Sequence, residues 1–332
     1  MGAHHGGWTR SRWLVAAFVA VLACVATSSS AVASGHVQRL VSFDPSAGEL
    51  PESVAVDRRG MIYVSLAPIG QVRAIAPDGA QHIVASLPVG SGFGALGLAF
   101  GPREDLYVAL STFDPTTNGV YRVGRDGSAA RLPGTQSIVL PNGLAFDRRG
   151  NLFVTDSVDG AIWRVSRDGS AEVWLRHPLL AGDNSAPPPV PLGANGIAFR
   201  NGALFVTNTE AGSVITVPVQ RDGTPGAPFV FARGPALVGA DGLAIDATGN
   251  LYIAVNGQST VVRVSSDGAN VTTLATAADG LDSPSSVAFG RGRSARARLL
   301  AVNFAIGPAF GFPPGAGPAL LALDVGPMRA AA

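Results

Sequence analysis

Residues 142–155 read NGLAFDRRGNLFVT. A short apolar run, Leu144-Ala145-Phe146, is followed by the turn-forming group Asp147-Arg148-Arg149-Gly150 and then by an alternating segment, Leu152-Phe153-Val154-Thr155. Two short strands joined by a tight turn are the plain reading of such a stretch. The same pattern recurs along the chain. It appears as ESVAVDRRGMIYVS from Glu52, LGLAFGPREDLYVA from Leu96, NGIAFRNGALFVT from Asn195, DGLAIDATGNLYIA from Asp241 and SSVAFG from Ser285. A period in the mid-forties is the size of one four-stranded propeller blade. After each pair of strands comes a third strand that ends in Asp-Gly: Asp78-Gly79, Asp126-Gly127, Asp168-Gly169, Asp222-Gly223 and Asp267-Gly268. The glycine supplies the positive φ that a tight hairpin needs. The fold predicted is all-β, a six-bladed β-propeller of four-stranded blades.

The sixth unit is irregular. It contains an arginine-rich turn, Arg291 to Arg298, and a Gly/Pro-rich insert, Gly307 to Pro318, and it runs out after Leu320 to Val325. The extra segment His36 to Phe43, ahead of the first unit, is expected to supply the missing outer strand and to close the ring without open edges. Residues 34–332 are read as one propeller domain. Residues 1–33 are read as a secretory signal peptide: Arg10 and Arg12, an apolar run from Trp13 to Val25, and a small-residue site at Ala31-Val32-Ala33. An alternative is lipid anchoring at Cys24, the one cysteine, in Val21-Leu22-Ala23-Cys24. Cleavage after Ala33 leaves a domain without disulfides, so its core must hold it together.

Composition narrows the chemistry. All 24 basic residues are arginine, which excludes lysine nucleophiles and Schiff bases. The net charge of +1, with no basic block, argues against nucleic acid. The apolar run near the start is too short to span a bilayer comfortably. No Gly-x-Ser-x-Gly elbow or phosphate-binding loop is present. His82 and His177 fall on or after outer strands and His36 lies near the mature start, so no Cys–His set argues for zinc.

In a propeller, the residue just before each first strand faces one mouth of the central channel. Those positions are Glu52, Leu96, Asn142, Asn195, Asp241 and Ser285. Antiparallel pairing brings the ends of the second strands to the same mouth: Leu66, Leu110, Asp156, Asn208, Val255 with Asn256, and Asn303. Two carboxylates and two amide oxygens around one axis suit a hard divalent cation, calcium first. Singly, each residue has a plainer reading. Asn-Gly and Asp-Gly pairs shape turns, Glu52 is a solvated charge, and Asp156 and Asn208 end strands.

The runs PNGLAFDRRGNLFVTDS, GANGIAFR and GADGLAIDATGNLYIA resemble the senescence marker protein, gluconolactonase and luciferin-regenerating enzyme family, over about Glu49 to Val325. The resemblance implies a calcium-dependent six-bladed propeller with a Glu, Asn, Asn, Asp set around the metal. Those residues match Glu52, Asn142, Asn195 and Asp241, with Ser53 standing where the family often has glycine. It further implies a hydrolase acting on a small lactone or related ester, with Asp241 as general base, or as nucleophile in a phosphoester variant. Asp156, Asn208 and Asn256 are expected to contact substrate or support the metal shell. Paraoxonases add a histidine pair, and no histidine lies near Leu96. The alternative is a secreted binding propeller of the NHL-like kind without chemistry, its mouth plugged by Leu66, Leu96 and Leu110.

Overall fold

The alternating segments fold as antiparallel strands, and a computed structural model describes residues 37–90, 92–185, 190–290, 298–310 and 313–326. The leader reading of 1–33, the lipid-anchor reading of Cys24, His36 and the turn at 291–297 lie outside the described residues. No helix among the described residues is long and apolar enough to cross a membrane.

The chain opens with β1 (Val37–Ser42). Blade one is β2 (Pro51–Val56), β3 (Ile62–Leu66), β4 (Gln71–Ile75) and β5 (Gln81–Ser86). Blade two is β6 (Gly94–Phe100), β7 (Leu106–Ser111), β8 (Gly119–Val123) and β9 (Ala129–Arg131). Blade three is β10 (Pro141–Phe146), β11 (Leu152–Asp156), β12 (Ala161–Val165) and β13 (Ala171–Arg176). Blade four is β14 (Ala194–Arg200), β15 (Ala203–Asn208), β16 (Ser213–Pro218) and β17 (Phe229–Arg233). Blade five is β18 (Ala240–Ile245), β19 (Leu251–Val255), β20 (Thr260–Val264) and β21 (Val271–Ala275). Blade six is β22 (Pro284–Phe289), β23 (Arg298–Asn303) and β24 (Ala319–Asp324), and its outer strand is β1, which pairs antiparallel with β24. The six-bladed ring and its closure by the N-terminal strand are as expected from the repeat.

No central core exists in such a ring. The apolar side chains gather instead in the seams between neighbouring sheets. Val41, Phe43, Val54, Leu66 and Leu320 join blade six to blade one. Val72, Leu98, Val108 and Leu110 join one to two. Ala109, Leu144 and Val154 join two to three, and Phe153, Ile197 and Val206 join three to four. Val214, Leu243 and Ile253 follow, then Tyr252, Val287 and Leu321. Three seams carry the same edge-on aromatic pair at equivalent positions: Tyr63–Phe100, Tyr107–Phe146 and Tyr252–Phe289, each with ring centroids 5.0 Å apart. Such a pair adds about 0.5–1.5 kcal/mol beyond area burial.

At the third-strand hairpins the glycines of all five Asp-Gly pairs lie at φ of 76° to 90°. The aspartates do not take positive φ. Their carboxylates accept a backbone N–H from two residues on, as Asp78 does from Ala80 (3.0 Å) and Asp222 from Thr224 (2.9 Å).

A chain beginning at residue 44 lacks β1 and strips Val41 and Phe43 from the seam that closes the ring. Thermal unfolding and gel filtration are expected to show a lower, broader transition and self-association through the bared edge of β24, compared with a chain beginning at residue 34.

Candidate functional site

Every inner strand breaks register at its mouth end. The shifts fall between Pro51 and Ser53, Ala95 and Leu98, Pro141 and Leu144, Ala194 and Ile197, Ala240 and Leu243, and Pro284 and Ser286. A bulge re-aims the residue inside it. The bulged residues are Glu52, Leu96, Asn142, Asn195, Asp241 and Ser285. The Asn-Gly and Asp-Gly pairs at 142, 195 and 241 are therefore parts of bulged strands rather than turns.

The second member of each pair has a different duty. A Cβ added to Gly97 would stand 2.2 Å from the Asn142 carbonyl oxygen, at Gly143 2.5 Å from that of Asn195, and at Gly196 2.4 Å from that of Asp241. At Gly242 it would stand 2.8 Å from the Ser285 oxygen. None of the four takes a left-handed φ. They are glycine because the next blade's backbone occupies the space a side chain would need. In blade one Ser53 fits here because its Oγ accepts the Leu98 N–H of blade two (3.1 Å).

Buried hydroxyls on the second strands clasp successive inner strands. Ser65 accepts from Ser53 N (2.9 Å) and donates to Leu96 O (2.8 Å). Thr155 accepts from Gly143 N (2.8 Å) and donates to Asn195 O (2.5 Å), and Thr207 donates to Asp241 O (2.7 Å). Ser285 joins blade six to blade one in the same way, donating to Glu52 O (2.6 Å).

Together these contacts bring Glu52, Asn142, Asn195, Asp241 and Ser285 to the wall of one axial cavity of about 100 Å³. Glu52, Asn142 and Asn195 are buried, and Asp241 is half-buried. Leu96, the sixth mouth residue, is turned into an apolar cluster with Ala67 and Leu140, against which Phe93, Val158, Leu192 and Phe304 pack. Leu66 and Leu110 lie in the seams, so none of the three leucines plugs the mouth.

Electrostatically the cavity is unbalanced. Burial pushes the Glu52 carboxyl well above the ordinary carboxylate range, and the nearby Asp241 charge pushes it further. Burial likewise raises Asp241 to about 8, against opposing hydrogen bonds from the Asn195 side chain and the Gly242 backbone. Among the described residues, neither carboxylate is paired with an arginine. The asparagines are held by their nitrogens: Asn142 Nδ2 donates to Ser157 Oγ (3.2 Å) and Asn195 Nδ2 to Thr209 Oγ1 (3.0 Å). The amide oxygens are left as acceptors. Two uncompensated carboxylates and two oriented amide oxygens form an all-oxygen donor set, which fits a hard divalent cation. No group of three or more His, Cys, Asp and Glu that could hold a metal occurs among the described residues, so the amides are needed to complete such a shell.

Asp156, Asn208 and Asn256 are not in the cavity wall. Asp156 is fully buried and accepts three backbone N–H groups, from Val139 (2.8 Å), Leu140 (3.1 Å) and Asp159 (3.2 Å). Asn208 donates to Leu179 O (3.0 Å) and Ala181 O (2.8 Å) and accepts from Ala211 N (3.1 Å). Asn256 donates to Ser283 O (3.2 Å). Each ties a connecting loop to the end of a second strand, and Asn303 does the same in blade six. The residues that hold the mouth asparagines are the next ones along, Ser157 and Thr209. The signal lay in the dipeptides Asp-Ser and Asn-Thr at 156–157 and 208–209. The rim is also clamped by carboxylates. Glu210 accepts backbone N–H groups from Asp183, Asn184 (2.7 Å) and Leu192 (3.0 Å), and Asp282 accepts from Gly317 (2.7 Å).

Residues 192–299 match the family model described as the SMP-30/gluconolactonase/LRE-like region. The match bears out the family resemblance over that stretch. No curated protein matches the chain. Among solved structures, it is similar to a gluconolactonase from Xanthomonas campestris, at 19% identity over 88% of this chain and 90% of that one, with a TM-score of 0.64. It is also similar to a calcium-binding protein, regucalcin, from Agrobacterium tumefaciens, at 18% identity over 83% and 90%, TM-score 0.60. A third is virginiamycin B lyase from Staphylococcus aureus, at 14% identity over 88% and 99%, TM-score 0.56. These likenesses establish the propeller fold.

Gly196→Ala is expected to force apart blades four and five at the axis and to destabilise the protein by about 1–3 kcal/mol, read as a lowered denaturant midpoint. Gly90→Ala, where nothing lies near the added Cβ and the backbone is not left-handed, lacks that clash. Acidity gives a second test. Between the ordinary aspartate value of 3.8 and about 8, the native chain holds a proton on Asp241 that the unfolded chain has released. Stability of the chelator-treated protein should therefore fall as pH rises across that window, with Glu52 acting in the same direction. Urea unfolding at about pH 5 and about pH 8 measures it, and added calcium should restore stability at the higher pH.

Proposed function

We propose that the protein is an exported, divalent-cation-dependent hydrolase that opens a lactone or related ester at the channel mouth. The observation that carries this reading is the pair of unneutralised carboxylates, Glu52 and Asp241, facing one cavity with the oriented amides of Asn142 and Asn195. The family match over 192–299 supports the reaction class, and the likeness to a gluconolactonase and a calcium-binding regucalcin supports the cation, calcium by preference. The leader-like segment 1–33 supports export, with lipidation at Cys24 as the alternative mode.

Glu52, Asn142, Asn195 and Asp241 would hold the cation through oxygen. When bound, a divalent cation supplies Lewis-acid polarisation of a carbonyl and stabilises charge developing on its oxygen. The chain's own part is positional and acid–base. Asn195, fixed through Thr209, holds Asp241 by a hydrogen bond, and Asn142, fixed through Ser157, orients an oxygen toward the same space. Asp241 takes a proton from the attacking water at a carboxylate oxygen. The water oxygen bonds the carbonyl carbon, the ring C–O bond breaks, and the proton passes to the departing alkoxide. The apolar side chains of Phe93, Val158, Leu192 and Phe304 near the mouth suit a substrate with an apolar portion. The same apolar surface favours the second reading, a non-catalytic binding propeller.

Hydrolysis of a lactone panel, spanning gluconolactone and alkyl γ-lactones, tests the proposal. Chelation and Asp241→Asn are each expected to lower kcat/KM by at least about a hundredfold, with calcium restoring the chelated enzyme. Hydrolysis that survives both changes would sink the proposal. A tightly bound metal without turnover would leave the binding module.

A further inference from the structure

The face opposite the channel mouth carries a second cavity. It opens at the seam between blades two and three and measures about 340 Å³. Arg103, Arg122, Arg148, Arg149 and Arg167 line it, with Asp105 as its one acidic residue. Tyr107 and Phe146, the edge-on pair of that seam, form part of its wall. Five arginines and one aspartate give the cleft a formal charge of 5 − 1 = +4, in a chain whose whole formal charge is +1.

Three other seams of this face show how arginines cross between blades there. Arg58 crosses from blade one to blade two, pairing with Glu104 (2.8 Å) and donating to Pro102 O (3.0 Å). Arg149 crosses from blade three to Arg221 O (2.5 Å), and Arg164 to Gly223 O (3.0 Å). Arg200 crosses from blade four to Ala247 O (2.5 Å). The seam between blades two and three breaks this rule. Among the described residues, Arg103, Arg122, Arg148 and Arg167 make no ion pair and no hydrogen bond across the seam. Where neighbouring seams are stitched shut by guanidinium groups, this one stands open, and of these four guanidinium groups that of Arg122 meets the Tyr107 hydroxyl of its own blade.

The two walls are equivalent in kind. Arg103, from the turn after β6, and Arg122, on β8 opposite Tyr107, belong to blade two. Arg148 follows β10 and Arg167 follows β12, both in blade three. Like charges gathered around a single counter-charge, Asp105, repel one another, and an anionic ligand lowers that penalty. A guanidinium fork matches a tetrahedral oxyanion in two-point contact, and each wall offers two. We propose that this cleft binds a small molecule carrying two phosphate groups, a diphosphate or bisphosphate, independently of the channel mouth.

Titration calorimetry on the full protein with inorganic pyrophosphate and, separately, orthophosphate tests the assignment. Excess chelator removes any contribution from a bound cation. Saturable pyrophosphate binding, at least about tenfold tighter than orthophosphate and weakening as salt is raised, is expected. Arg122→Gln/Arg148→Gln should weaken it at least about tenfold. Arg233→Gln/Arg263→Gln removes the same two charges elsewhere and should leave it within about twofold. Asp241→Asn should bind pyrophosphate as the unsubstituted protein does, which separates this site from the mouth. No saturable binding at millimolar pyrophosphate, or equal weakening by both double substitutions, overturns the proposal.

Discussion

Close approach of neighbouring inner strands at the axis is the constraint on which the rest of this structure depends. Four of the six strands present glycine where the next blade's carbonyl lies too near for a Cβ. Ser65, Thr155, Thr207 and Ser285 then bind strand to strand by hydroxyl hydrogen bonds. A wider ring would leave the bulged residues too far apart to act together. The narrow ring instead gathers side chains from five blades around a space of about 100 Å³. The glycines and the site residues alternate in sequence because one faces the neighbouring blade and the other faces the axis.

That narrowness has an electrostatic consequence. Glu52 and Asp241 are drawn into a poorly solvated space and repel one another, and among the described residues no guanidinium group pairs with them. A buried carboxylate pair without a counter-charge is unfavourable to folding unless it is protonated or neutralised. The arrangement persists beside asparagines whose nitrogens are tied back to Ser157 and Thr209. Such an arrangement is costly as packing and sensible as a cation site. On the opposite face the sign reverses: among the described residues, the arginines between blades two and three do not cross the seam as those of the neighbouring seams do.

Much of this was legible along the chain. The mid-forties repeat identified the blades, and the eroded sixth unit pointed to β1 as its outer strand. The bulged mouth residues Glu52, Asn142, Asn195 and Asp241 could be picked out because each repeat places them before the same apolar run. The second-strand ends were less readable. Asp156 and Asn208 carry the chemistry expected of a site, yet they point into the loops and spend their polar atoms on backbone groups. Ser157 and Thr209, one residue on, point the other way and hold the mouth amides. Strand alternation makes a one-residue difference a change of side, and a bulge or chain turn decides which side is which.

Sequence alone therefore determined the blade count, the ring closure and the identity of the oxygen-bearing mouth residues, because these follow from local periodicity repeated six times. Tertiary structure alone decided that Gly97, Gly143, Gly196 and Gly242 serve close approach rather than turns, and that Leu96 leaves the axis for an apolar cluster. It also decided that four arginines from two blades meet at an open seam. Each of these depends on what the adjacent blade places nearby, and contacts between residues some forty positions apart are not encoded in any one repeat.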